Sequence, residues 1–456
     1  MSEYSTNYPK IILPVTFLFN IYVFTWWLEI GERWPFLGDI RFEFILGATL
    51  AVATILTPTG PTNKRISNVP IYSICIVYLL VLMFSQFFSY DFDTAWNSYI
   101  NRVVKFSLMT LFISKFVASP TYLRYFLFST FLAFFKIGQE AMIGKITGSQ
   151  VWQNQGIMRL HGTQGSMFGH PNSLSGKTLS LLPFMLYLLP SVKQRWLKIL
   201  IGLQVVFSIN ILIFTGSRTG YLTFISFIFY VFILSTKKWK LSVLILLTAV
   251  MAVTFIPGQY QERFESSFTG QEKEGRSRNA RITLLKDSWE VFLDNPTGVG
   301  LLCFPKVQED AGRRVQETHN LYTQILAETG IQGAICFLSF MIILFRQSFI
   351  IRNELSKLLE SLNAWQNRSS VKRQDRSIIN EQMDIKLMLC IMNATIVFLL
   401  VRLTLGLFGH DLLEIYWWVA AGIILSISKM YTIARNRFEE LTQVHHQLHN
   451  PTPFTN

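Results

Sequence analysis

Charge is scarce in this 456-residue chain: only 15% of residues are Asp, Glu, Lys or Arg, where a soluble domain carries about 25%. With half of the residues hydrophobic, that scarcity excludes a disordered chain and an ordinary soluble enzyme. Cysteine is equally sparse. Cys75, Cys336 and Cys390 fall in apolar runs and only Cys303 lies outside one, so a disulfide-stapled secreted scaffold is excluded too. The sequence contains no CxxC, no HExxH, no Walker-type phosphate loop and no strong internal repeat. What it has instead is apolar bulk, including 39 Phe, and a net charge of +13.

The apolar residues come in blocks rather than amphipathic stripes. A membrane-spanning helix needs about 20 mostly apolar residues. Such blocks lie near 11–29, 40–57, 70–90, 99–118, 121–139, 172–190, 197–216, 219–236, 240–257, 323–345, 384–406 and 411–430. The fourth is the weakest, because Arg102, Lys105 and Lys115 interrupt it. The expected fold is therefore all-α: a polytopic bundle of about 12 transmembrane helices, with backbone polar groups satisfied inside each helix. No small-x-small cleavage pattern follows the first block, which is expected to remain as helix one.

Basic residues in short loops mark the cytoplasmic side. Lys64 and Arg65, Lys193 with Arg195 and Lys198, Lys237 with Lys238 and Lys240, the stretch 346–386, and Lys429 with Arg435 and Arg437 all fall on one side if both termini are cytoplasmic. The +13 is thus largely a topology signal, and no nucleic-acid partner is expected. The resulting division is 1–257 (helices one to nine), 258–317 (a large extracytoplasmic loop between helices nine and ten), 318–345 (helix ten), 346–383 (a cytoplasmic basic loop), 384–430 (helices eleven and twelve) and 431–456 (a cytoplasmic tail). Arginines in the outward segments 140–171 and 258–317 lie outside this pattern and call for a role. With Trp289, Val291, Phe292 and Phe304 around Asn295-Pro-Thr-Gly-Val-Gly300, the larger segment is expected to fold and dock on the membrane.

Four places could carry chemistry. Phe214-Thr-Gly-Ser217-Arg218-Thr-Gly220 puts an arginine at the outer membrane face, where an ionisable group marks function; it is either a snorkelling side chain or a guanidinium clamp for a phosphate. Ser277-Arg278-Asn-Ala-Arg281 opens a segment whose Arg281, Leu284, Leu285, Ser288 and Phe292 share one helical face. Arg281 at a helix start would suit an anion, and a solvated charge run with Arg276, Glu272 and Glu274 is the alternative. In Glu317-Thr-His319-Asn320, Thr318 is a plausible N-cap and His319 would open helix ten at the aqueous boundary, with a pKa range suited to proton transfer. Glu328, nine residues on, lies on the opposite face. Finally, Arg159-Leu-His161-Gly, followed by Gly169-His170-Pro-Asn172, reads as a substrate-binding loop. Asp91 and Asp93 read as solvated loop charges, and His445, His446 and His449 as an exposed tail; no metal site is expected.

These residues together resemble the O-antigen ligase and O-antigen polymerase group of bacterial membrane glycosyltransferases. Ser217-Arg218-Thr-Gly220, Arg281 with Pro296…Gly298-Val-Gly300, His319-Asn320-x9-Gly330-x2-Gly333 and Gly169-His-Pro-Asn172 carry the likeness, over roughly 159–345. The Pro296-Thr-Gly298 step is a residue shorter than the family's usual form, so Arg281 anchors the comparison. The resemblance implies an inner-membrane enzyme that transfers a glycan from an undecaprenyl-diphosphate donor to an acceptor hydroxyl at the extracytoplasmic face. It implies inversion, no nucleotide, no metal and no cofactor. Arg218 and Arg281 would grip the diphosphate and His319 would act as base. Arg159, His170, Asn172, Ser217, Arg278 and Asn320 would contact substrate. Partners would be the bilayer, the donor, a glycan or lipid acceptor, and other polysaccharide-assembly membrane proteins. A polymer-forming role is favoured slightly over a ligase acting on lipid A-core. A transporter would instead place its ionisable residues near the midplane and repeat its two halves.

Overall fold

The computed structural model describes residues 13–57, 69–235, 238, 257–269, 277–368, 376–409 and 411–449. The chain folds into helices α1 (Leu13–Leu28), α2 (Ile30–Arg33), α3 (Pro35–Asp39), α4 (Phe42–Leu56), α5 (Val69–Ser85), α6 (Phe92–Ser98), α7 (Lys105–Phe116), α8 (Pro120–Thr147), α9 (Pro171–Leu188), α10 (Arg195–Phe214) and α11 (Arg218–Leu234). After these come α12 (Gly258–Thr269), α13 (Ser277–Asp294), α14 (Phe304–Asp310), α15 (Leu321–Arg368), α16 (Arg376–Gly406) and α17 (Tyr416–His449). Among the described residues, six helices are long and apolar enough to cross a bilayer: Pro70–Phe88, Pro120–Thr147, Arg195–Phe214, Leu321–Asn367, Ile378–Gly406 and Tyr416–Gln443. Pro14–Leu28, Phe42–Leu56 and Arg218–Leu234 are shorter and equally apolar. This is an all-helical membrane protein. The ninth expected block, 240–257, lies outside the described residues apart from Pro257, and so do Lys64, Arg65, Lys237, Lys240, Glu272, Glu274 and Arg276.

The bundle is held by α9 against α16, α17 against α7, α15 against α5 and α1 against α8. Three departures from the sequence expectation have plain causes. First, α15 runs to Arg368 and α16 begins at Arg376, so helix occupies most of the stretch expected as a basic loop at 346–383. Beneath its charges lies an apolar stripe, with Ile351, Leu355, Leu358 and Leu362 all buried; this is the spacing of one helix face. Second, α17 likewise continues through the expected tail to His449, and the side chains of His445, His446 and His449 lie outside the description. Third, a hairpin occupies the segment after α8, pairing β1 (Val151–Asn154) antiparallel with β2 (Ile157–Leu160).

Arg402 (α16) donates to Asp411 at 2.5 Å, donates to Ser180 at 3.3 Å, and lies 3.7 Å above the Tyr416 ring. Asp91 is no solvated loop charge: it caps α6 and accepts from Lys306 Nζ at 2.5 Å. That bond, more than any other contact, lowers its pKa to about 2.

The segment between α12 and α15 folds on a core of its own. Leu284, Val291, Val299, Cys303 and Phe304 pack with Ala95 of α6 and Ala327 of α15. Trp289, by contrast, is half exposed and rests on Phe292 with ring centroids 5.5 Å apart. The segment is tied down at a break in α15, where Gly330 adopts φ 67° and ψ −171°. The carbonyls of Ala327 and Glu328 accept from Val299 N and Gly300 N, at 2.8 and 2.9 Å, and Ile331 N donates to Pro296 O at 3.0 Å. Backbone groups freed by the break are thereby satisfied by the Pro-Thr-Gly-Val-Gly turn. A Cβ at position 330 would lie 2.3 Å from Thr297 C and 2.5 Å from Pro296 O. Gly330→Ala is therefore expected to destabilise the chain by about 1–3 kcal/mol, read as a lowered midpoint of thermal unfolding in detergent; an unchanged midpoint would mean the turn does not need the break.

Candidate functional site

Three helix starts and the residues just before a fourth meet at one cavity. His170 is the N-cap of α9, its Nδ1 accepting from Asn172 N at 3.2 Å, and Pro171 occupies the first helical position. Ser217 is the N-cap of α11, its hydroxyl accepting from Gly220 N at 3.1 Å, and Arg218 follows at once. The two helix starts lie close together because residue 220 is a glycine: a Cβ there would sit 2.1 Å from Ser175 Oγ of α9. Arg281 lies near the start of α13 and His319 lies two residues before α15.

The cavity has a volume of about 330 Å³. Its wall contains Arg218, Arg281, His319, His170 and Asn172, which the sequence had singled out, together with Arg263, Arg314, Gln155 and Gln316, which it had not. None of the described residues lining it is Asp or Glu. Four guanidiniums thus share one concavity with helix N-termini, whose free N–H groups and dipoles also favour negative charge. Such an arrangement suits a multiply charged anion.

Behind the wall, Arg159 is 1% exposed. Its Nε donates to Thr215 O at 2.7 Å, its Nη1 to Asn154 Oδ1 at 3.1 Å, and its Nη2 to Asn172 Oδ1 at 2.7 Å. Burial and then the Arg263 charge lower its pKa to about 9, which leaves it cationic at neutral pH. Arg263, from α12, donates to Gly216 O at 3.1 Å and to Gln155 O at 3.3 Å. Two arginines therefore fix the Thr215–Gly216 turn that aims Arg218. Ser217 and Arg159 support the cavity without lining it, and Asn320 does the same for α15. Its Oδ1 accepts from Tyr322 N and Thr323 N at 3.0 and 3.1 Å. Asn320 is thus the N-cap of α15 in place of Thr318, and His319 stands before the helix. Arg278 lies in the first turn of α13, its side chain outside the description.

His319 adopts φ 51°, a left-handed conformation that costs a non-glycine residue about 1–3 kcal/mol and concentrates at functional sites. His170 differs in kind. Burial, then the Arg159 and Arg281 charges, lower its pKa to about 4. Its ring is neutral at physiological pH, and with Nδ1 accepting a backbone bond the proton sits on Nε2.

Residues 203–338 match the family model described as O-antigen ligase. No curated protein matches the chain. The matched stretch contains Arg218, Arg263, Arg281, Arg314 and His319, and it supports the resemblance to the O-antigen ligase and polymerase group.

The folded state favours neutral His170, a contribution fully present above about pH 6.5 and lost as pH falls toward 4. In His170→Gln, the pH–rate profile between pH 5 and 8 is therefore expected to keep its shape. Loss of the acidic limb in that variant would identify His170 as the group that titrates.

Proposed function

We propose that this chain is a glycosyltransferase of the extracytoplasmic membrane face, moving a glycan from an undecaprenyl-diphosphate donor to an acceptor hydroxyl. One observation carries the proposal: Arg218, Arg281 and His319, about a hundred positions apart between the first and the last, line the same cavity, with no Asp or Glu among its described lining residues. Arg218 and Arg281 hold the diphosphate. His319 takes the proton from the acceptor hydroxyl as its oxygen attacks the anomeric carbon. The bond from that carbon to the phosphate oxygen breaks, its electron pair leaves with the polyprenyl diphosphate, and configuration inverts. Preorganised guanidiniums stabilise the charge that builds on the leaving oxygen, and losing one such contact costs about 10²–10³-fold in rate. General-base help contributes about 10²–10⁴-fold. No cofactor enters these steps.

The acceptor is proposed to be a second lipid-linked glycan, which makes the enzyme a polymerase of repeat units. The description of the matched family model favours a second reading, a ligase that places finished glycan on lipid A-core or another acceptor. Both readings place the protein in the inner membrane, with about twelve spans, cytoplasmic termini and the segment 258–317 outside. The basic residues between spans support that orientation.

Arg218→Ala and Arg218→Lys are expected to cut surface polysaccharide about 10²-fold or more at unchanged protein level; near-normal product would remove the clamp. His319→Ala is expected to bind donor and fail to transfer. In a deletion strain, gels of lipid-linked and surface glycan decide the acceptor: single repeats indicate a polymerase, and long chains stranded on the carrier indicate a ligase. A cysteine at position 281 is expected to react with an impermeant reagent from outside spheroplasts; labelling only after permeabilisation would invert the topology.

A further inference from the structure

Two carboxamides on the cavity wall have their polarity fixed by guanidiniums, Asn172 by Arg159 behind the wall and Gln155 by Arg159 together with Arg263 of the wall itself. A guanidinium only donates, so any amide atom it meets must be the oxygen. Arg159 donates to Asn172 Oδ1 at 2.7 Å and to Gln155 Oε1 at 3.5 Å, and Arg263 Nη2 donates to the same Gln155 oxygen. Both residues line the cavity, whereas Arg159 is buried behind it. With their oxygens engaged by guanidiniums, Gln155 and Asn172 have Nε2 and Nδ2 to offer a ligand, and both are pure donors. The Nε2–H of His170 adds a third donor beside them.

Gln155 occupies an unusual place for its residue type. It sits at φ 52°, followed by Gly156 at φ 78°, in the two-residue turn that joins β1 to β2. A turn with both central residues at positive φ favours Asn, Asp or Gly at its first position. Asn is one methylene shorter than Gln, whose longer side chain meets both guanidiniums and the cavity.

Acceptors on the described wall are few: the Thr219 hydroxyl, the Gln316 amide oxygen and the His319 ring. A sugar hydroxyl set against Gln155 and Asn172 would accept from them and find little to receive its own O–H, leaving that group unsatisfied. An oxygen that carries no hydrogen has no such deficit. Arg218 and Arg281 are already assigned to the diphosphate, so the uncharged donors are best matched to the group that the diphosphate carries.

We propose that Gln155 and Asn172 form a donor-only wall that selects, on the sugar next to the diphosphate, an oxygen bearing no hydrogen: an acylamino carbonyl or a carboxylate. The proposal rests on the glycosyl-transfer reading of the same cavity. Arg159 is a positioning residue, acting through the two amides it orients.

Gln155→Asn and Gln155→Gly both suit the turn and keep the fold testable. Purified full-length protein would be assayed with polyprenyl-diphosphate donors carrying a 2-acylamino sugar, a uronic acid or the plain hydroxy sugar, and with sugar-free polyprenyl diphosphate as competitor. Wild type is expected to show a KM at least about tenfold lower for one of the first two donors than for the plain sugar, a difference of about 1.4 kcal/mol. Which of the two is preferred identifies the oxygen. In both variants that preference falls to within about twofold, while inhibition by the sugar-free competitor is unchanged. Wild type without preference overturns the assignment. So do variants with unaltered kinetics, which would make Gln155 a turn residue only, and variants that lose affinity for the sugar-free competitor equally, which would make it a phosphate ligand. If wild type neither binds polyprenyl diphosphate nor transfers sugar, it is the glycosyltransferase reading that fails.

Discussion

Like charges gathered around one cavity are the constraint around which this molecule is arranged. Arg218, Arg263, Arg281 and Arg314 share one cavity with no Asp or Glu among its described lining residues. Their mutual repulsion is strongest where water is displaced. Neutral oxygen acceptors hold part of the cluster: Arg263 donates to the carbonyls of Gly216 and Gln155, and Arg159 behind it to Thr215 O and to the amide oxygens of Asn154 and Asn172. Carbonyls fix a guanidinium in place without cancelling its charge. Positive charge concentrated in this way beside helix N-termini suits an anion.

The same economy operates at the break in α15. Opening the helix at Gly330 frees backbone groups that the turn at 296–300 then satisfies. This couples the segment between α12 and α15, which supplies Arg281 and Arg314, to the helix whose N-terminal approach holds His319. Asn320 anchors that approach from the other side, donating to Leu407 O at 3.1 Å while capping α15. His319 is thereby held in a backbone conformation it would not choose alone. The positions of His319, Arg281 and Arg314 are set by one mechanical unit.

How much of this the sequence reveals depends on the kind of force involved. The spans are legible because burial in lipid demands uninterrupted apolar blocks, and the expected blocks outside 240–256 each overlap a helix. The extensions of α15, α16 and α17 are not, because surface charge masks a narrow stripe such as Ile351, Leu355 and Leu358. The hairpin is too short for its alternation to register. At the site, Arg218, Arg281 and His319 stand out through local motifs. Arg263 lies in Gln259-Tyr-Gln-Glu-Arg-Phe-Glu265 and Arg314 in an Arg-Arg pair, settings that look like ordinary solvated surface. Their one signal is that they are arginines in a segment that the charge pattern assigns to the side where basic residues are expected to be sparse. Thr318 as N-cap was wrong because Asn320, two residues later, offers an oxygen that reaches two amides at once.

The most direct test of the account is photo-crosslinking of the full-length protein in membranes with a polyprenyl diphosphate carrying a photoreactive group on its terminal phosphate. The predicted adducts fall on the cavity peptides around residues 155–172, 218–219, 280–284 and 314–319, and are competed away by unmodified polyprenyl diphosphate. Competable adducts confined to other surfaces, above all to the basic ends of α15, α16 and α17, would contradict the claim that this cavity holds the diphosphate.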